Sequence, residues 1–272
     1  MSLNFNGNYI GGVPLGESGG GTSNHAQLTN LDYANSGHTG FLSSDMFIQD
    51  GTIYTIEADG SGDFATIYDA IDFLANKISN GVVTFQFGNG TFSLDSAISI
   101  GVSNFFNIPL LKIQGKGAGN TILNITMADG TQTINVRNTD IEFANFTYQC
   151  TSGDKTTNYK GIRADSGGRV RVSSCTFNGI NKAVSTFGSG ILTLAKLNIS
   201  NCKTAVNADG GTVLCSYQTT ININNVTTGF DVSTGGQIHL SSPSITYTSV
   251  TNKTSQTVGS AVDKGWITGV TV

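Results

Sequence analysis

The chain has 272 residues, a formal charge of −4 and only 12% charged side chains, about half the usual share. Its polarity comes from Ser, Thr, Asn and 35 glycines. That balance fits one elongated, turn-rich β body with a small appendage rather than several globular domains. It excludes the basic footprint of a nucleic-acid binder and the polybasic patch of a protein that sits on anionic lipid. No apolar run is long enough to span a bilayer, so no membrane partner is expected. The first 21 residues lack a basic segment followed by an apolar core, so Sec export is not expected either.

Residues 1–48 differ from the rest. Residues 4–13 (NFNGNYIGGV) read as a small hairpin around Asn6-Gly7, and 16–23 (GESGGGTS) as a flexible linker. Residues 24–41 (NHAQLTNLDYANSGHTGF) hold too few apolar side chains to form a core alone. Such a segment is ordered by a partner or by copies of itself. His25, His38 and Asp32 do not fill a recognisable metal-ligand frame, so hydrogen bonding in a turn or against a partner is the plainer reading. No metal or cofactor is expected.

The string carried by His25, Leu28, Leu31, Asp32, Tyr33, Ser36, Gly37, His38, Gly40 and Phe41 resembles a short segment near the N-termini of bacteriophage tail and head fibre proteins. The resemblance covers under a tenth of the chain. It implies that 1–48 is a virion-anchoring segment, with His25, Leu28, Leu31, Asp32, Tyr33, His38 and Phe41 as candidate anchor residues. It further implies a homotrimer located in the virion, joined to other virion proteins through its N-terminus.

Residues 49–253 are expected to form the main body. Residues 52–58 read as a strand, and 59–63 (DGSGD) as a turn ending in a helix N-cap at Asp63. Ile67, Ala70, Ile71, Leu74, Ala75 and Ile78 recur at the spacing of one buried helical face. A helix near 64–78, stopped by Asn80-Gly81, is therefore expected, and laid across the end of a sheet it would cap the exposed edges. Strands follow at 82–87 and 91–94 around Gly88-Asn89-Gly90, then at 110–113 and 121–125 around GKGAGN. That glycine-rich turn is no phosphate loop: the Gly-Lys-Ser/Thr ending is absent and a strand follows. Residues 57–73 (EADGSGDFATIYDAIDF) with 110–123 (LLKIQGKGAGNTIL) resemble the opening of pectinesterase and related pectin-lyase-like β-helices. Residues 133–137, 141–145 and 146–149 build another coil, and 151–159 make a polar excursion.

From Gly161 to Lys253 one sentence is written four times: GIRADSGGRVRVSSCTFNGINKA, VSTFGSGILTLAKLNISNCKTA, VNADGGTVLCSYQTTININNVTTG and FDVSTGGQIHLSSPSITYTSVTNK. The second glycines fall at 168, 190, 211 and 236, giving a period of 21 to 25 residues. That period belongs to solenoids, whose repeats cannot bury an apolar face alone. Leucine-rich repeats share it but need a leucine and asparagine frame that is missing. The expected fold is all-β: a single-stranded right-handed parallel β-helix with an N-terminal capping α-helix and the short anchoring segment. The alternating strands at 169–172, 191–194, 212–215 and 237–240 should share one face, and those at 175–177, 197–199, 221–223 and 245–247 another. Cys150, Cys175, Cys202 and Cys215 show no CxxC spacing and are expected as buried thiols. The N-x-S/T frames at Asn124, Asn145, Asn198, Asn225 and Asn252 read as corner and ladder asparagines. Residues 254–272 should form a C-terminal cap, with Trp266 over the last coil or, alternatively, stacked on a sugar.

Polysaccharide hydrolysis usually needs two carboxylates at a set separation. Asp165 and Asp209 fall two coils apart, about 10 Å at the strand spacing, with Phe187 between them. Asp before Gly is also ordinary turn chemistry. The later catalytic motifs of pectinesterase have no counterpart here, so the second resemblance implies fold and not activity. Arg163, Arg169 and Arg171 are expected to make a basic spot beside Asp165. Arg163, Asp165, Asp209 and Trp266 are the candidate contacts to host-surface polysaccharide. Two functions remain open: a structural virion fibre or appendage that attaches to host glycans, and a tailspike-type depolymerase tested at Asp165, Asp209 and Glu142. A surface adhesin fits less well without an export signal.

Overall fold

The computed structural model describes residues 9–10, 13–14, 44–75, 77–101, 108–127, 132–151, 160–215, 219–241, 243–256 and 266–268. The chain divides into two units, 1–44 and 45–272. In the first, Tyr9–Ile10 and Val13–Pro14 pair antiparallel, Ile10 opposite Val13. Asn6-Gly7, the turn expected for this hairpin, lies outside the described residues. Residues 15–43, and with them His25, Leu28, Leu31, Asp32, Tyr33, His38 and Phe41, lie outside the described residues.

The second unit is a parallel β-solenoid. Each coil contributes one strand to each of three faces, A, B and C. Face A runs through Thr52–Ile56, Val82–Phe87, Leu110–Gln114, Asp140–Ala144, the first halves of Arg169–Asn178 and Ile191–Ser200, Thr212–Cys215, Gln237–Leu240 and Trp266–Thr268. Face B runs through Gly90–Leu94, Thr121–Ile125, Thr147–Cys150, the second halves of the same two ten-residue strands, Thr220–Asn224 and Ser244–Thr248. Face C is the seven-stranded sheet Ile98–Gly101, Gln132–Arg137, Lys160–Asp165, Lys182–Phe187, Thr204–Asp209, Thr228–Ser233 and Asn252–Gln256. Seven rungs give about six full turns. They are numbered here as coils 1 to 7, beginning at Val82–Phe87.

Register is continuous along each face. On face A the inward column is Tyr54, Phe85, Ile113, Phe143, Val172, Leu194, Cys215 and Leu240. Face B stacks Phe92, Leu123, Tyr148, Phe177, Ile199, Ile223 and Tyr247. Face C stacks Ile98, Ile134, Ile162, Val184, Val206 and Phe230. Phe85, Phe143, Tyr148, Phe177 and Phe230 are fully buried. Each fully buried side chain of this size stabilises the fold by about 1.5–3 kcal/mol relative to exposure. Because a strand alternates sides with period two, the apolar pattern fixes which residues enter the column and locks the register.

The path must bend between faces, and left-handed residues do this. Between faces A and B sit Asn145 (φ 63°), Ser174 (53°) and Lys196 (54°). Between B and C sit Gly179, Asn201, Asn225 and Ser249, and between C and A sit Ser166, Gly188, Gly210 and Thr234, all with positive φ. Asparagine tolerates this conformation best among non-glycine residues. Asn145 and Asn225 are thus corner residues, while Asn198 is a ladder residue accepting from Asn222 Nδ2 at 2.7 Å.

The paired glycines divide two jobs. Gly167, Gly210 and Gly235 take positive φ. Their partners Gly168, Gly211 and Gly236, and Gly190 of the Gly-Ser-Gly break, have no such φ. A Cβ on any of these four would strike the backbone carbonyl of an earlier coil, that of Ala164 in the case of Gly190. They are glycine because two rungs approach too closely for a side chain.

The helix is shorter than its apolar spacing suggests. It spans Ile67–Phe73 and its N-cap is Thr66, whose hydroxyl accepts from the Asp69 N–H. Asp63 is not the cap: its carboxylate accepts from the Thr55 N–H and hydroxyl at 2.7 and 2.9 Å. Ile78–Ser79 is a strand, parallel to Phe47–Ile48, so the chain has left the helix before Asn80-Gly81. Strand pairing at Ile78 outweighs a helical period that its apolar side chain also satisfies. Ile67, Ala70, Ile71 and Leu74 join the solenoid core. The rings of Tyr54, Phe64, Phe73 and Phe85 meet beside them at centroid distances of 5.0 Å (Tyr54–Phe73) to 6.1 Å (Tyr54–Phe85).

All four cysteines are buried, and burial pushes the thiols of Cys175 and Cys215 up to about 12. Neither should react with a thiol reagent at pH 8 until denaturant is added, as mass spectrometry after alkylation will show. Gly190→Ala should cost about 1–3 kcal/mol in urea unfolding, the range for overpacking. Gly119→Ala, where an added Cβ meets nothing within 4 Å, should stay within about 0.5 kcal/mol of the parent.

Candidate functional site

The outward positions of the three faces differ in kind. On face B they are uncharged: Thr147, Thr176, Asn198, Asn222 and Thr246 form one column, and Asn124, Gln149, Asn178, Ser200, Asn224 and Thr248 the next. Side-chain amides bridge rungs there, as in Asn222 Nδ2 to Asn198 Oδ1 at 2.7 Å. On face A charges alternate along the stack. Lys112, Glu142 and Arg171 are register neighbours, as are Asp140 and Arg169. Arg171 Nη1 lies 3.6 Å from Glu142 Oε2. Asp140, Glu142, Arg169 and Arg171, with Leu110 and Thr193, line a shallow cleft of about 380 Å³. The cleft's ion pair is more than half exposed on the arginine side, so it adds little stability.

Face C is built differently. Its central outward column is Ser99, Asn135, Arg163, Ser185, Asn207, Asp231 and Ser255. These side chains point away from the core, yet Asn135 and Arg163 are 7% exposed and Ser185 and Asn207 only 2%. The flanking columns fold over them. Lys182 Nζ donates to Asn207 Oδ1 at 2.9 Å, and the Phe187 ring lies over the Arg163 guanidinium, 4.1 Å from its carbon. Asn207 Nδ2 in turn donates to Asp231 Oδ2 at 2.9 Å. The result is a sunken polar strip with an exposed aromatic at its lip, Phe187 being 45% exposed.

Asp165 anchors the strip. Its carboxylate accepts from Arg137 Nε at 3.1 Å and the Ser166 hydroxyl at 2.7 Å, and lies 3.5 Å from Arg163 Nη2. Burial alone would raise its pKa, but the Ser166 hydroxyl, Arg163, the Asn135 amide and Arg137 together hold it below the usual carboxylate range. Arg163 is pulled the other way: burial lowers its pKa, and Asp165 and Asp209 only partly restore it. Lys160 is lowered by burial and by the nearby charges of Arg163 and Lys182.

The structure thus brings Arg163, Asp165 and Asp209 to one strip and leaves the other expected contacts apart. Asp165, Phe187 and Asp209 are successive register neighbours, two coils apart as the repeats imply. Arg169 and Arg171 are not beside Asp165. They occupy face A, so the expected basic spot is split, because the glycine turn at 167–168 separates the two faces. Glu142 is also on face A and cannot pair with Asp165 or Asp209. Trp266 begins a strand parallel to Gln237–Leu240 on face A; its side chain, like residues 152–159, lies outside the described residues. Lys160, Lys182, Ser185 and Asn207 belong to the strip and were not singled out by sequence. The signal was present in the aligned copies, where Ser185 and Asn207 fall in the column of Arg163, and Lys160 and Lys182 pair with each other three positions earlier. Among the described residues no group of three His, Cys, Asp or Glu side chains is placed to hold a metal, and no helix is long and apolar enough to cross a membrane.

No protein-family model, characterised protein or solved structure matches the chain.

A carboxylate whose folded pKa is lowered stabilises the fold above its unfolded pKa, near 3.9, and loses that contribution as pH falls through the folded value. Thermal stability should therefore drop below about pH 4, and Asp165→Asn should both lower the melting temperature at pH 7 and flatten this acid limb, read by circular dichroism.

Proposed function

We propose that this chain is a structural component of a bacteriophage virion, a head or tail fibre or appendage, that presents a β-helix to polysaccharide on the host surface. The observation that carries the reading is the exterior of the solenoid. Polar side chains stand in register on every rung, one strand spacing of about 4.8 Å apart, over faces that differ in charge. Such a surface makes many weak, repeated contacts with a repeating polymer, and avidity turns these into firm attachment. The fibre-like string at residues 25–41 and the pectin-lyase-like opening at 57–73 support the same reading.

In this reading residues 1–48 hold the protein to other virion proteins through His25, Leu28, Leu31, Asp32, Tyr33, His38 and Phe41, and three copies associate. The solenoid is right-handed, as about 98% of parallel β crossover connections are. The helix Ile67–Phe73 caps its first coil, which the aromatic contacts around Phe73 support. Residues 254–272 close the other end. Neither nucleic acid nor membrane is a partner. The depolymerase alternative ranks below this one, because Asp165 is held ionised by two arginines and so is a poor general acid.

Purified protein should elute in size-exclusion chromatography with light scattering at three times the 28.4 kDa chain mass. It should bind capsulated host cells and lose that binding when the capsule is stripped enzymatically. A monomer at micromolar concentration, or equal binding to bare cells, would count against the proposal.

A further inference from the structure

Two side chains of the sunken strip on face C have polar atoms that nothing satisfies. Arg163 Nε and Ser185 Oγ are fully covered and lack a hydrogen-bond partner. They are register neighbours in the outward column of coils 3 and 4. An unpartnered hydroxyl at this depth is costly, and a charged donor more so. The core offers nothing to either group, since both belong to the outward column. What is absent is an acceptor placed from outside.

The surroundings say which acceptor. Arg137, Lys160, Arg163 and Lys182 surround the pair, against two carboxylates: Asp165, whose oxygens are already taken by Arg137, Ser166 and Arg163, and Asp209, whose charge also acts on Arg163 and Lys160. The acidic side chains Asp209 and Asp231 lie in coils 5 and 6. An anionic group is therefore favoured at coils 3 and 4 and disfavoured beyond them. Phe187 supplies the third element. One ring face lies on the Arg163 guanidinium, and the ring remains nearly half exposed. An exposed aromatic ring beside a cation and a hydroxyl matches a ligand with an apolar C–H face, a carboxylate and further hydroxyls.

We propose that coils 3 and 4 of face C form a subsite for an acidic sugar residue, a uronate or similar sugar acid, within a polysaccharide. Its carboxylate accepts from Arg163 Nε and the Ser185 hydroxyl once the Phe187 ring swings off the guanidinium. The ring then packs on the pyranose face, and the sugar hydroxyls meet Asn207 and Asp209 one coil on. This rests on the preceding reading that the solenoid contacts host glycans, and it names the chemistry of the unit recognised.

Isothermal titration calorimetry of the full chain with polygalacturonate and, separately, neutral dextran tests it. Polygalacturonate should bind, more weakly as salt rises, and dextran should not. Arg163→Gln should weaken binding about tenfold to a hundredfold, the value of a hydrogen bond to a charged group. Phe187→Ala should weaken it about three- to tenfold. Arg171→Gln, on face A, should change it less than twofold. Circular dichroism melts accompany each variant. Should Arg163→Gln fail to fold, the exposed Phe187→Ala decides. No binding of polygalacturonate, or equal binding by parent and Phe187→Ala, overturns the subsite. Capsule-dependent attachment that survives Phe187→Ala would sink this inference alone and leave the virion reading standing.

Discussion

Parallel stacking in register is the constraint on which everything else depends. Every strand lies about 4.8 Å from its counterpart in the next coil, so each side chain has two fixed neighbours that it cannot avoid. Inside, this demands apolar columns that fill the same space rung after rung, with Phe143 above Ile113 and below Val172. Outside, it penalises like charges in a column. Lys112, Glu142 and Arg171 alternate on face A, and Arg137, Asp165, Phe187 and Asp209 alternate or are interrupted on face C. The low charge content follows from the same spacing: neutral Thr, Ser and Asn satisfy one another along a column, whereas runs of one sign would repel.

Sharp corners are the second consequence. A rung of three short strands must turn three times within 21 to 25 residues, and most of the described turns from coil 3 onward use a left-handed residue. Where the corner also brings two rungs into backbone contact, as at Gly190, only glycine fits. The glycine content therefore reflects close packing as much as flexibility. The same corners decide which residues share a surface. Arg163 and Arg169 are six positions apart in sequence, yet the turn at Gly167-Gly168 sends one to face C and the other to face A.

Charge on the strip is held in contacts that cross rungs. Asp165 is clamped by two arginines and a hydroxyl, which holds it ionised. Arg163 is shared between Asp165 and the Phe187 ring and keeps an unused donor.

The repeats made the solenoid legible from sequence alone. Strict alternation at 169–172, 191–194, 212–215 and 237–240, with glycine pairs at constant offset, admits one register, and the observed pairs Arg169–Ile191–Thr212–Gln237 have it. The buried cysteines and the corner role of Asn145 and Asn225 were legible for the same reason: local pattern and local backbone preference decide them. The short strand Ile98–Gly101 was not, because four residues carry too little period to be told from a loop. Nor were the helix ends, since Ile78 satisfies a helical spacing and a strand equally and only its pairing with Phe47 decides. The strip on face C was half visible. Sequence marked Arg163, Asp165 and Asp209 as chemistry-bearing, but which outward columns sink beneath their neighbours depends on how Lys182 and Phe187 fold across rungs. Those contacts join residues more than twenty positions apart, a distance at which local preference carries no information and only the packed fold decides.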